Sequence, residues 1–250
     1  MEKLNMRKKF MVIDTETANN TDENGRDTGT PLAYDIGYII ADKHGHIYRS
    51  RSFVITDVFE GEAELMQSAY YGWKVPQYIE SINKGERRPI NLTLARWIVA
   101  QDMKEFDVSD IYAYNALFDL NSCNRTLRYI TKSKYRYFFP YGTKIHCIWS
   151  MACQVLFTQK SYKTAAIANN WISPAGNFQT SAEVAYRYIN NEPKFEEEHK
   201  GLDDVMIEYE ILLRCFRQHK HIDTKPSRAC WRIPTKKWGR QIKAQIQPGQ

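Results

Sequence analysis

No apolar run in the 250-residue sequence approaches the about 20 residues that a membrane-spanning helix requires. There is no internal repeat and no low-complexity segment. The five cysteines (Cys123, Cys147, Cys153, Cys215 and Cys230) are odd in number and never spaced C-x-x-C. That pattern argues against a disulfide framework or a zinc site and for reduced thiols. At the N-terminus, "MEKLNMRKKFMVID" sets basic residues before an apolar run, but only residues 10–13 are apolar before Asp14. This is too short for the core of a signal peptide. The expectation is a soluble cytoplasmic protein with no membrane partner.

Hydrophobic residues make up 43% and aromatics 13% of the chain, enough for a packed core in one large domain with or without an appendage. The net charge of +6 is concentrated at the end, where residues 220–250 carry eight Lys/Arg against Asp223 alone. We therefore read a domain over residues 1–219 and a basic tail over residues 220–250. Such a tail grips nucleic acid, docks a partner or is a solvated terminus. Trp231 and Trp238 interleave with its charges, which suits a packed or nucleic-acid-contacting segment.

Periodicity locates the elements. "KKFMVIDTET" reads as a short buried strand, apolar over residues 11–13 with charge at both ends. The polar residues 18–30 read as a mobile loop. "YDIGYIIAD" and "HIYRSRSFVI" are two more strands joined by "DKHGH", whose His44 and His46 read as exposed turn residues. A helix is expected over about residues 62–84, with Pro76 opening its second half. "LTLARWIVAQDMKEF" is an amphipathic helix, "DIYAYN" a fourth strand and "ALFDLNSCNRTLRYI" the helix after it. "GTKIHCIWSMACQVLF" is a fifth strand running into a helix, and short helices follow near Ala165 and at "TSAEVAYRYI". A long helix from Leu202 carries the stripe Leu202, Val205, Met206, Tyr209, Leu212, Leu213 and Phe216. This order predicts a mixed α/β sheet covered by helices.

Three acidic features stand out. Asp14 and Glu16 end the first strand two residues apart, so both carboxylates share a face. Neighbouring carboxylates repel unless a cation lies between them, and hard oxygen ligands suit Mg²⁺ or Mn²⁺. The same spacing recurs at Glu60/Glu62/Glu64, Glu196/Glu198 and Glu208/Glu210, but only the first pair ends an apolar strand. Asp119 in "YNALFDL" falls on the first turn of a helix, and His199 precedes Asp204 by five residues in "HKGLDD". Taken alone, these acids also fit helix N-termini.

Together, "VIDTET", "YNALFD" and "HKGLDD" resemble the three motifs of the DEDDh (DnaQ-like) 3′–5′ exonucleases, the family that includes replicase proofreading subunits. The motifs run from Asp14 to Asp204, leaving only the tail uncovered. The phrase "AEVAYRYI…FEEEHKGLDDVMIEYEIL" is most similar to stand-alone members carried by phages and mobile elements, which would place the protein in a host cytoplasm. There are three departures. Tyr114 stands where members often have His, Gly201 where they often have Ala, and "CIWSMA" lacks an Asp-Thr pair. Glycine is the smaller residue and is expected to be tolerated at 201.

The resemblance implies an RNase H-like α/β fold with a central mixed five-stranded sheet flanked by helices. It implies hydrolysis of the terminal phosphodiester at the 3′ end of nucleic acid, DNA favoured over RNA, releasing nucleoside monophosphates. Two divalent cations, Mg²⁺ or Mn²⁺, would be held by Asp14, Glu16, Asp119 and Asp204, with His199 as general base. Thr15, Thr17 and Asn115 are candidate substrate contacts, although threonines at a strand end have an ordinary explanation. Glu196, Glu197 and Glu198 read as a solvated run, with an upward pull on the His199 pKa as the alternative. Tyr70, Tyr71 and Trp73 in "SAYYGWK" read as helix packing, with base stacking as the alternative. The rival functions are a 3′–5′ exoribonuclease and a nucleic-acid-binding protein with an inactive exonuclease fold. The basic tail is a candidate dock for a replication or repair partner.

Overall fold

The computed structural model describes residues 8–18, 31–68, 72–132, 134, 137–197, 199–218, 220–227, 229–233 and 235. Of the mobile loop expected over residues 18–30, Ala18 instead ends a strand and residues 19–30 lie outside that set, as do Tyr70, Tyr71, Glu198, Trp238 and the end of the tail.

The chain opens on an antiparallel meander of β1 (Lys9–Ala18), β2 (Leu32–Asp42) and β3 (Ile47–Ile55). β2 is buried at every position, as an inner strand covered on both faces should be. Its turn into β3 is closed by the Asp42 carboxylate, which accepts from the His44 and His46 backbone N–H groups.

After β3 come α1 (Thr56–Phe59), α2 (Ala63–Ser68), a 3-10 turn (Gly72–Lys74) and α3 (Val75–Asn83). The continuous helix expected over residues 62–84 is therefore broken. Pro76 sits in the first turn of α3, where its missing N–H costs nothing. β4 (Arg88–Ile90), α4 (Leu92–Glu105), β5 (Asp110–Ala113), α5 (Ala116–Thr131), β6 (Lys144–Cys147) and α6 (Ile148–Val155) follow. Among the described residues the series ends with α7 (Lys160–Ala168), α8 (Ala182–Asn190) and α9 (Gly201–Phe216).

The sheet is mixed and has six strands among the described residues, in the order β4-β3-β2-β1-β5-β6. The strand beyond the expected five is β4, which pairs in parallel with Phe53, Val54 and Ile55 at the sheet edge. Three residues are too few to show an alternating pattern, so sequence reading passes over it.

Alternation divides β1 between two helical layers. Met11 and Ile13 face a core with Tyr38, Val99 and Leu127, whereas Phe10 and Val12 face another with Ile148, Leu156 and Leu212. On α9, Val205, Tyr209 and Leu212 are buried as expected, together with Ile207, Ile211 and Cys215. Met206, expected in the apolar stripe, is 44% exposed. Past α9 the chain turns back over the domain. The Cys147 N–H donates to the Thr224 carbonyl at 2.7 Å and the Phe178 N–H to the Ile233 carbonyl at 3.0 Å. No helix among the described residues is long and apolar enough to cross a membrane.

Candidate active site

β1 is the post on which the site is built. Asp14 and Glu16 continue its α9-facing row, and Thr15 between them continues the row facing α5. Asp204 from α9, Asp119 from α5 and His199 from the loop before α9 meet the β1 acids around one cavity of about 440 Å³. All five residues expected to carry chemistry therefore lie together.

Two glycines allow α9 to come so close. A Cβ on Gly37 of β2 would lie 2.3 Å from Gly201 C and Leu202 N. A Cβ on Gly201 would lie 2.9 Å from Gly37 N and 3.4 Å from the Asp14 carbonyl oxygen. Glycine at 201 is thus more than tolerated; here it lets two backbones touch. The Gly201 N–H donates to Asp35 Oδ2 at 3.1 Å, and the buried Asp35 also accepts from the Tyr78 hydroxyl at 2.8 Å. Arg87 lies 3.6 Å from Asp35 and 3.5 Å from Asp203, so Asp203 faces outward to an ion pair while Asp204 turns inward. The Lys74 ammonium donates to the His199 carbonyl at 3.3 Å. These contacts brace His199, whose φ of +50° is unusual for a residue other than glycine.

The second motif is held with similar economy. Asn115 adopts φ +60°, and its carbonyl accepts from the Phe118 N–H at 2.7 Å, starting α5 and setting Asp119 in the first turn. The Thr15 N–H and hydroxyl both donate to Asp119 Oδ1, at 3.1 and 2.9 Å. Thr15 thus orients a carboxylate, Asn115 lies on the cavity rim, and Thr17 is not among the described lining residues. Tyr114, the departure from histidine, is a pillar. Its N–H donates to Glu208 Oε2 at 3.0 Å, its hydroxyl to the Thr180 carbonyl, and its ring stacks on Trp149.

Packing so many acids together shifts their titration. Burial first, then Glu208 and the other acids, pushes the Asp14 carboxyl well above its ordinary range. Burial and Asp204 raise Glu16 to about 8, burial raises Asp119 to about 7, and burial and Asp203 raise Asp204 to about 7. Asp119 Oδ2 and Asp204 Oδ1 are buried with no hydrogen-bond partner among the described residues. Ligand atoms of Glu16, His199 and Asp204 all lie within 4.8 Å of one another. Unpaired, buried, oxygen-rich donors of this kind fit a hard divalent cation. His199 is held below its ordinary value, first by burial and then by the Lys74 ammonium. The upward pull considered for the neighbouring glutamates does not prevail.

Sequence reading missed three participants. Glu208 is buried on the cavity wall and raised well above its ordinary pKa by burial and Asp119. It lies four residues after Asp204, on the same helix face, and a charged residue inside a buried stripe was the available signal. Glu197, read as part of a solvated run, instead lines the cavity and is raised to about 8 by burial and Asp204. Lys74 is only 3% exposed and lies beside His199. Its neighbour Trp73, expected to pack in a helix, is 65% exposed over the Lys74 ammonium.

No protein-family model matches the sequence, and a search of curated proteins finds no match. Solved structures do share the fold. One shows 3′-end-specific recognition of a histone mRNA stem-loop by a 3′-exonuclease. Its TM-score is 0.57 at 11% identity, covering 87% of this chain and 85% of that one. A full-length 3′-exonuclease gives TM-score 0.57 at 12% identity, covering 91% and 90%. The nuclease domain of 3′hExo, a DEDDh family member bound to rAMP, gives TM-score 0.50 at 12% identity, covering 88% and 98%. The chain therefore has the mixed-sheet, helix-flanked RNase H-like fold of DEDDh-type 3′-exonucleases.

Proposed function

We propose that the protein is a metal-dependent 3′–5′ exonuclease of the DEDDh family. It hydrolyses the terminal phosphodiester of DNA at single-stranded or frayed 3′ ends and releases nucleoside monophosphates. The observation that carries this reading is the convergence of Asp14, Glu16, Asp119, His199 and Asp204 on one cavity, where buried oxygens of Asp119 and Asp204 have no hydrogen-bond partner among the described residues.

Asp14, Glu16, Asp119 and Asp204 would hold two divalent cations, Mg²⁺ or Mn²⁺, which supply charge stabilisation to the scissile phosphate and the departing 3′ oxygen. Thr15 fixes the rotamer of Asp119 for that task. His199, with its pKa lowered, is neutral near pH 7 and takes the proton of the attacking water. The bond between phosphorus and the 3′ oxygen breaks, leaving a nucleoside 5′-monophosphate and a strand with a new 3′ hydroxyl. Thr15, Thr17 and Asn115 remain the candidates for contacts to the terminal nucleotide.

The DNA preference and the stand-alone, phage-like character rest on the motif resemblance. A 3′–5′ exoribonuclease is the second reading, favoured by fold neighbours captured with an mRNA stem-loop and with rAMP. The intact constellation argues against an inactive binding protein. The test is to incubate the protein with Mg²⁺ or Mn²⁺ and 5′-labelled single-stranded DNA, duplex DNA and RNA. Progressive shortening is expected, fastest on single-stranded DNA. Faster loss of RNA would transfer the proposal to the second reading, and three intact substrates would end it.

A further inference from the structure

The carboxylate cavity shares Asn115, Phe118 and Trp149 with a second groove of about 360 Å³. It is lined by Phe118, Asn121 and Arg125 of α5, by Trp149 of α6, and by Pro226 and Ser227 of the returning C-terminal segment. We propose that this groove binds the single strand leading to the 3′ end, a proposal that rests on the nuclease reading of the neighbouring cavity.

Four observations support it. Positions 118, 121 and 125 recur at helical spacing, so their side chains form a row running away from Asp119. Arg125 stands six residues beyond Asp119, about 9 Å along the helix axis, within reach of a phosphate next to the reacting one. It is part-buried and makes no ion pair or hydrogen bond among the described residues. A guanidinium in that setting suits a phosphate, to which it can donate two parallel hydrogen bonds. Phe118 is 41% exposed, and the part-buried Trp149 beside it is held by its indole N–H bond to Thr180 Oγ1 at 2.9 Å. Exposed aromatic rings stack on bases of any identity.

The C-terminal segment that lines the groove is anchored just before Pro226 and Ser227. Thr224 accepts from the Cys147 N–H at 2.7 Å through its carbonyl, and its hydroxyl bonds His146 Nδ1 at 2.7 Å. His146 Nε2 is in turn 2.7 Å from Asp110, and the Asp223 carbonyl accepts from Gln154 at 2.7 Å. The first residues of the basic segment are thereby built into the rim of the site, with Lys225 exposed on them. The groove's volume of about 360 Å³, near the lower end of the ~300–1,000 Å³ typical of small-ligand sites, is enough for one nucleotide of a single strand.

The experiment measures binding of a 5′-fluorescein single-stranded oligonucleotide by anisotropy in EDTA, across a salt series. Arg125→Ala is expected to weaken binding roughly tenfold and to reduce the salt slope by about 0.7, the value for one phosphate contact on a single strand. Arg125→Lys should retain the slope. Ser227→Glu, which places a like charge on the exposed wall, should weaken binding without touching α5. Wild-type affinity and slope in folded Arg125→Ala and Ser227→Glu would overturn the proposal, and if Arg125→Ala does not fold, Ser227→Glu decides. Strand shortening by the wild type with unchanged variant slopes removes the groove and leaves the nuclease. Altered slopes without any shortening keep the groove and remove the nuclease.

Discussion

Replacing Gly37 by alanine would set a methyl carbon 2.3 Å from Gly201 C and Leu202 N. Favourable carbon contacts lie at about 3.5–4.0 Å, and both opposing atoms are backbone, so β2 and the start of α9 must part by roughly 1 Å or more. Overpacking costs about 1–3 kcal/mol when side chains can adjust; with backbone on both sides, ~3 kcal/mol is expected for Gly37→Ala. Gly201→Ala meets Gly37 N at 2.9 Å, a milder clash for which ~1–2 kcal/mol is expected. The separation also pulls Gly201 from Asp35 and carries His199 and Asp204 away from Asp14 and Glu16, so cation affinity falls along with stability. Urea unfolding at constant m reads the first effect and titration with Mn²⁺ the second. A Gly37→Ala midpoint within ~0.5 kcal/mol of wild type, with undiminished cation binding, would refute the close-approach reasoning.

Without divalent cations the protein should lose stability as pH rises. Glu16, raised from 4.5 to about 8, and Asp119 and Asp204, raised from 3.8 to about 7, keep protons in the folded state that the unfolded chain has released. Their contribution is complete below the ordinary carboxylate range and is lost as pH climbs through about 4 to 8, so thermal melts in EDTA should fall across that window and Mg²⁺ should restore them. A melting temperature that rises with pH in EDTA would contradict this. His199→Ala should keep cation binding and lose about a hundredfold or more in turnover, whereas Asp14→Ala should lose both. Near wild-type turnover in His199→Ala would remove the base assignment. Glu208→Ala strands the Tyr114 N–H and should cost about 1–3 kcal/mol, whereas Glu208→Gln keeps an acceptor and sheds a repelling charge. Equal melting of the Ala and Gln variants would show that the Tyr114 bond is unimportant.

The carboxylate constellation was legible because its spacing is tied to elements with strong periodic signals. Asp14 and Glu16 end an apolar strand, Asp119 opens a helix directly after another strand, and the five-residue step from His199 to Asp204 selects Asp204 over Asp203. Partners fixed by tertiary contact were not legible. Nothing local marks Thr15 as the ligand of Asp119, 104 residues away, or Gly37 as the seat for Gly201. Glu197 looked solvated because charge runs usually are, yet the chain turns it into the cavity. β4 was invisible for its brevity, and the break between α2 and α3 because each half keeps an amphipathic pattern. The electrostatic environment of His199 also depends on distant chain, since Lys74 and burial govern it more than the adjacent glutamates.

The most direct measurement is digestion of a single-stranded oligonucleotide with Mg²⁺ in water enriched in heavy oxygen, with mass analysis of every product. Terminal hydrolysis at the assigned cavity predicts nucleoside 5′-monophosphates with one heavy oxygen on the phosphate, strands shortened from the 3′ end with unlabelled 3′ hydroxyls, and neither product from Asp14→Ala. Internal fragments, 3′-phosphate ends, or the same products from Asp14→Ala would contradict the account.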